Sequence, residues 1–164
     1  MTALPPIVVR QPSPHDIVDG QVRACGIGTG FEGALTARVR DAHGAQLARV
    51  PFQAGGTGIW GNYDITLGVG VPTTPQGTLE VFEVSQADGS ELHKVTVAIT
   101  FGPALVNPYH GFAQYTVVGG DSLSGIAEKY YGNANMWPVI YEANRQEIQD
   151  PNRIFPGQVL RIPQ

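Results

Sequence analysis

The chain reads as a two-domain protein, an all-β sandwich followed by a small α+β unit built as strand, helix, helix and strand. Three observations predict this class. Apolar and polar residues alternate with a period of two in short, turn-bounded runs through residues 7–102, the spacing of strands with one face turned inward. From Gln114 to Pro163 the period changes to two helical stripes between two strand-like runs. Between these patterns, Pro103 and Pro108 punctuate an apolar connector. The expected boundaries are a sandwich over residues 1–103, a linker over 104–113 and the α+β unit over 114–164. With 164 residues, 42% of them hydrophobic, the chain can bury a core in each part.

In the first part, Ile7–Val9 and Gln21–Gly26 open the series. Leu35, Ala37 and Val39 alternate with Thr36, Arg38 and Arg40, and Asp41-Ala42-His43-Gly44 turns the chain into a return strand from Gln46 to Phe52. This predicts a hairpin with one buried face. Tyr63, Ile65 and Leu67 repeat the alternation, as do Leu79 and Val81, then Val95, Val97, Ile99 and Phe101. Asp88-Gly89, inside Gln86–Ser90, supplies another hairpin turn. The sum is about seven strands with no helical period, which is the pattern of an immunoglobulin-like sandwich.

The connector follows. Leu105, Val106, Tyr109 and Phe112 are too apolar for a loose tether, so this stretch is expected to pack against one or both domains. Tyr115–Val118 is then a strand that stops at Gly119-Gly120. Asp121 offers its carboxylate as the cap of a helix carrying Leu123, Ile126, Ala127 and Tyr130 on one face. Gly132 suits the position just past that helix. Met136, Val139, Ile140 and Ala143 mark a second helix, with Pro138 tolerable in its first turn. Pro156-Gly157 turns the chain into a last strand, Val159–Ile162, closed by Pro163. The loops at Gly119–Leu123 and Asp150–Ile154 each join a helix to one of two paired strands, so they should face each other across a shallow groove.

These residues carry a resemblance. Tyr115-Thr116-Val117, Gly120-Asp121-Ser122-Leu123, Ile126-Ala127, Tyr130-Tyr131-Gly132, Trp137, Ile140-Tyr141, Asn144 and Ile154-Phe155-Pro156-Gly157-Gln158-Val159-Leu160 resemble a LysM domain, a small βααβ carbohydrate-binding module. Ser122 stands where that family more often has Thr, and Asp150-Pro151-Asn152 where Asn-Pro-Asp is commoner. The resemblance implies binding of N-acetylglucosamine units of peptidoglycan or chitin through backbone groups and apolar contact to the acetamido methyl. Carried over, the glycan-binding positions are Gly120, Asp121, Ser122 and Leu123, with Pro151, Asn152, Arg153 and Ile154 opposite. Tyr130, Trp137 and Tyr141 fall at helical spacings that place them in the core. The longer Tyr130–Pro138 form also resembles LysM domains of phage-tail-like assemblies and of some cytoplasmic proteins, which implies an alternative role as a structural adaptor or ion binder.

The first part has its own resemblance. Pro12-Ser13-Pro14, Gly20-Gln21-Val22, Phe31-Glu32-Gly33, Val39-Arg40-Asp41, Gly77-Thr78-Leu79-Glu80-Val81-Phe82-Glu83 and Asp88-Gly89-Ser90 are similar to the immunoglobulin-like domain of bacterial sporulation and spore-germination proteins. This implies an interaction domain that spaces the second module or contacts a protein partner, and it brings no catalytic residues.

Charge narrows the partners. The net charge is −4; residues 1–103 hold six basic and nine acidic side chains, the rest four and five. No Lys/Arg cluster tracks a phosphate backbone, so neither nucleic acid nor an anionic membrane surface is an expected partner. Membrane insertion is not expected either, since no apolar run is long enough to span a bilayer. Met1–Pro6 has neither a basic nor an apolar signal region. The expectation is a place in the cell envelope if a signal segment was removed, otherwise in the cytoplasm or on a particle assembled there.

Candidate chemistry reduces to structure. Gly26-Ile27-Gly28-Thr29-Gly30 opens no helix that could hold a phosphate and is read as a loop between strands. His15, His43, His93 and His110 share no metal-site spacing. The single Cys25 forms no intrachain disulfide, has no activating motif and is read as a small core residue. Trp60 is read as a core plug. No catalytic residue, metal or cofactor is expected.

Overall fold

A computed structural model describes residues 4–164, and the chain divides into two compact units, residues 1–101 and 102–164. The first unit holds eight strands among the described residues: β1 (Ile7–Gln11), β2 (Asp16–Val18), β3 (Gln21–Gly28), β4 (Ala34–Asp41), β5 (Gln46–Gln53), β6 (Gly61–Gly68), β7 (Gln76–Val84) and β8 (Glu91–Phe101). They form one sheet in the order β1-β3-β6 and another in the order β2-β8-β7-β4-β5. The pairings are antiparallel except that of β2 with β8, which is parallel. Val22, Ala24, Leu67, Leu79, Val81, Ile99 and Phe101 are fully buried and supply much of the core. The expected sandwich is therefore present, with β2 as an added strand; three residues are too few to show a period of two.

The hairpin of β4 and β5 differs from expectation. β4 lies between β5 and β7, and Thr36 and Arg38 are buried as well as Leu35, Ala37 and Val39. A buried guanidinium persists only when paired. Arg38 donates from Nε to Glu80 Oε2 at 2.6 Å and from Nη1 to Glu91 Oε1 at 2.6 Å, with its guanidinium 4.7 Å from the Phe82 ring centroid. Arg38, and then Lys94, hold the Glu91 carboxyl down at about 2.

Three further expectations are corrected here. Gly26, Ile27 and Gly28 belong to β3 instead of a loop, paired with β1 and β6, and glycine is needed at 26 because a Cβ there would run into the Val8 carbonyl oxygen and the Tyr63 hydroxyl. Cys25 is half-buried, since the alternation of β3 turns Val22, Ala24 and Gly26 inward and leaves Cys25 on the other face. Trp60 is 40% exposed, with Nε1 donating to the Pro5 carbonyl at 3.2 Å. It stands on the loop between β5 and β6, where Gly55 and Gly58 take positive φ, while Phe52 and Tyr63, 5.0 Å apart by ring centroid, pack together nearby.

The second unit consists of α1 (Gly102–Leu105), β9 (Phe112–Thr116), α2 (Leu123–Tyr131), α3 (Trp137–Ala143) and β10 (Val159–Pro163). β9 and β10 pair antiparallel, from Thr116 opposite Val159 to Phe112 opposite Pro163. The strand thus begins earlier than the apolar pattern suggested, taking in Phe112 and Ala113 from the connector. His110 N–H donates to the Gln164 carbonyl at 2.6 Å, and Gln164 N–H to the Gly111 carbonyl at 2.8 Å, so pairing continues beyond β9.

Val117, Leu123, Ile126, Ala127, Ile140, Ile148, Leu160 and Ile162 form the core beneath the two helices. Gly132 ends α2 at φ 65°, as its position predicts, with its N–H bonded to the Glu128 carbonyl. The buried Asn144 ties α3 to β10. Its Nδ2 donates to the Ile140 and Arg161 carbonyls, each at 2.7 Å, and its Oδ1 accepts from Arg161 N–H at 2.8 Å.

Candidate functional site

The start of α2 decides the geometry on one side of the site. Ser122, in extended backbone at φ −134° and ψ 157°, is the capping residue, and its Oγ accepts from Gly125 N–H at 3.1 Å. Asp121 therefore does not cap the helix. Its Oδ2 accepts from Val118 N–H at 2.9 Å and from the Tyr115 hydroxyl at 2.8 Å, closing the turn that Gly120 makes at φ 93°. Val118 N–H, then Tyr115, hold the Asp121 carboxyl below the usual carboxylate range, and the same bond pushes the Tyr115 hydroxyl upward. Lys129 Nζ lies 4.9 Å from the Tyr115 ring centroid, a cation–π contact beside the turn.

With Ser122 satisfying Gly125, the N–H groups of Leu123 and Ser124 have no acceptor within the helix. They sit at the positive end of the α2 dipole, where an acceptor oxygen is favoured.

The opposite loop is fixed by its own turn. Asp150 Oδ1 accepts from Asn152 N–H at 2.9 Å and from Asn152 Nδ2 at 3.2 Å, while Arg153 N–H donates to the Asp150 carbonyl at 2.9 Å. This is the local bonding by which an Asx residue shapes a turn.

Between the two loops lies a cleft of about 230 Å³ lined by Asp121, Ser122, Leu123, Ser124, Trp137, Pro151, Asn152 and Ile154. Six of the eight positions expected from sequence line it; Gly120 and Arg153 do not. Ser124 and Trp137 line it without having been anticipated. Ser124 lies one residue past the end of the expected loop. Trp137 was assigned to the core by its spacing from Ile140 and Tyr141, and it does pack against the core cluster while also facing the cleft. Tyr130 and Tyr141 pack against the core as expected. The cleft thus lies beside the helix start, with Pro151, Ile154 and Trp137 as its apolar lining and Leu123 mostly buried beneath it, a surface suited to a ligand with a polar amide beside apolar faces. Among the described residues, no three or more His, Cys, Asp or Glu side chains come together in a group that could hold a metal ion.

Comparison with known proteins gives the chain its context. Residues 6–90 match the family model described as the immunoglobulin-like domain of bacterial spore germination, and residues 115–163 match that of the LysM domain. The potassium binding protein Kbp of Escherichia coli is 54% identical over 50 residues, covering 30% of this chain and 34% of that protein. An esterase of Mycobacterium tuberculosis is 44% identical over 64 residues, 39% of this chain and 13% of the relative. Protein YqbP of Bacillus subtilis is 41% identical over 59 residues, 30% of this chain and 27% of its own length. The chain therefore spans about a third or less of these relatives. Both matched domains are binding domains, and the LysM domain is a glycan-binding module.

Proposed function

We propose, from the premise that the chain belongs to the family of the immunoglobulin-like domain of bacterial spore germination and carries a LysM domain after it, that its cleft binds an N-acetylglucosamine unit of peptidoglycan or a chitin-type polymer. The observation that carries this reading is that the start of α2, Ser122–Ser124, and the apolar Pro151, Ile154 and Trp137 line one cleft. An acetamido carbonyl meets the N–H donors of that helix start and its methyl meets Pro151 and Ile154. The sandwich serves as a spacer or as the contact for a protein partner.

A single open cleft forms few hydrogen bonds and covers little of a polymer, so its affinity falls roughly in the micromolar-to-millimolar range. Retention on a wall then depends on many copies meeting a repeating ligand. In an NMR titration with chitin oligomers, the amides of Gly119–Leu123 and Asp150–Ile154 are expected to shift, and Asn152→Ala is expected to weaken binding more than folding. Unmoved amides in a folded protein, with chitin and peptidoglycan fragments alike, would remove this reading.

A second reading, an adaptor or ion-binding role, is favoured by the relative named as a potassium binding protein. Adding potassium, with sodium as the control, to the same labelled protein separates the two. Amide shifts with potassium alone, and none with glycan, would put the ion-binding role in front.

A further inference from the structure

We propose that Trp137 is the residue through which the cleft selects a pyranose ring, by stacking its indole on the C–H face of the sugar while the start of α2 holds the acetamido group. This rests on the glycan reading above and adds a residue and a contact to it. Among the described residues, Trp137 is the one aromatic residue lining the cleft. It is the first residue of α3, and Pro138 behind it occupies a position where a missing N–H costs nothing and the backbone is pre-set.

The indole is also held from the side, with the Tyr141 ring centroid at 6.4 Å and the core cluster beneath. A half-buried ring packed in this way offers its remaining apolar surface at a reduced ordering cost on binding. The cleft volume of about 230 Å³ lies below the roughly 300 Å³ at which drug-sized pockets begin. In so small a cleft a single aromatic contact makes up a large part of the apolar recognition. The donors read the acetamido group and the indole reads the ring that carries it. A compound with an acetamide but no flat C–H face meets only the first half of the site.

The chain has two tryptophans, so Trp60→Phe in the full chain leaves Trp137 as the single reporter. Titrated with an N-acetylglucosamine tetramer, its fluorescence is expected to change saturably, with the same midpoint as the Ser122–Ser124 amide shifts. Trp137→Leu, which keeps an apolar side chain but no ring face, is expected to bind about three- to tenfold more weakly, the size of an aromatic packing contact. Trp137→Phe, which restores a ring face, recovers most of that loss. Unfolding midpoints of both variants separate weaker binding from a damaged fold. Silent fluorescence together with unchanged affinity in Trp137→Leu overturns the stacking role and leaves the glycan reading standing. Absence of amide shifts in the unmutated chain overturns both.

Discussion

Ser122→Ala removes the hydroxyl that caps α2, and the expected cost is about 1 kcal/mol, read as a lower midpoint in urea unfolding. Asp121 acts differently, because its carboxylate holds the Val118 N–H and the Tyr115 hydroxyl instead of the helix end. Its folded-state pKa is depressed, so the stability it contributes is present above the ordinary carboxylate value of about 3.9 and is lost as the pH falls through the lower folded value. Asp64, Asp88 and Glu91 are also depressed and share this acid limb. The test is therefore a difference: Asp121→Asn should unfold more easily than the unmutated chain at neutral pH, with the gap narrowing at the acid end. A gap independent of pH would show that the carboxylate charge is not what matters. The sequence reading gives the cap to Asp121, and Ser122 holds it instead; Asp and Ser are nearly equal as capping residues and stand side by side. Only the turn at Gly120, which swings Asp121 back toward Val118, decides between them. Trp137 was hidden for a similar reason: helical spacing reports which face a residue shares, but not that the core ends partway across an indole.

Among the elements, β4 and the junction of α3 with β10 carry the clearest energetic claims. Arg38→Ala leaves the buried Glu80 carboxylate to the longer 3.4 Å bond from Arg40, and breaking such a buried pair costs up to about 3–5 kcal/mol. Replacing both, as Arg38→Met with Glu80→Leu, is expected to recover most of that, as measured by denaturant unfolding of the full chain. Asn144→Ala removes three hydrogen bonds that join α3 to β10 and should cost on the order of 3 kcal/mol, toward the upper end for groups left buried without partners. Strand alternation was legible through most of the sandwich because a half-buried strand writes its burial into every second residue. It misread β4, where the polar positions are buried too and Arg38 is satisfied by Glu80 on β7 and Glu91 on β8, far away in sequence. β2 was invisible for want of length, and Gly26 and Gly28 looked like a loop because nothing local reveals that another strand passes close by.

For the molecule as a whole, the change from a period of two to a helical period marked two bodies, and each unit has its own buried cluster. We expect fragments 1–101 and 102–164 each to retain their structure, the first β-rich and the second with its helices, by circular dichroism. Starting the second fragment at Phe112 instead removes the bonds of His110 and Gly111 with Gln164 and should lower its melting temperature. The connector was the least legible stretch, because its role depends on pairing with residues more than fifty positions away. That pairing brings the two ends of the strand pair side by side: β9 leaves Gly111 toward the cleft loops, and β10 returns from them to Gln164. Five residues of strand span about 17 Å, so the cleft loops and the two chain ends of this unit lie at opposite ends of the strand pair. Ends held this close, at Gly111 and Gln164, are the geometry that lets a unit be inserted into a surface loop of another protein.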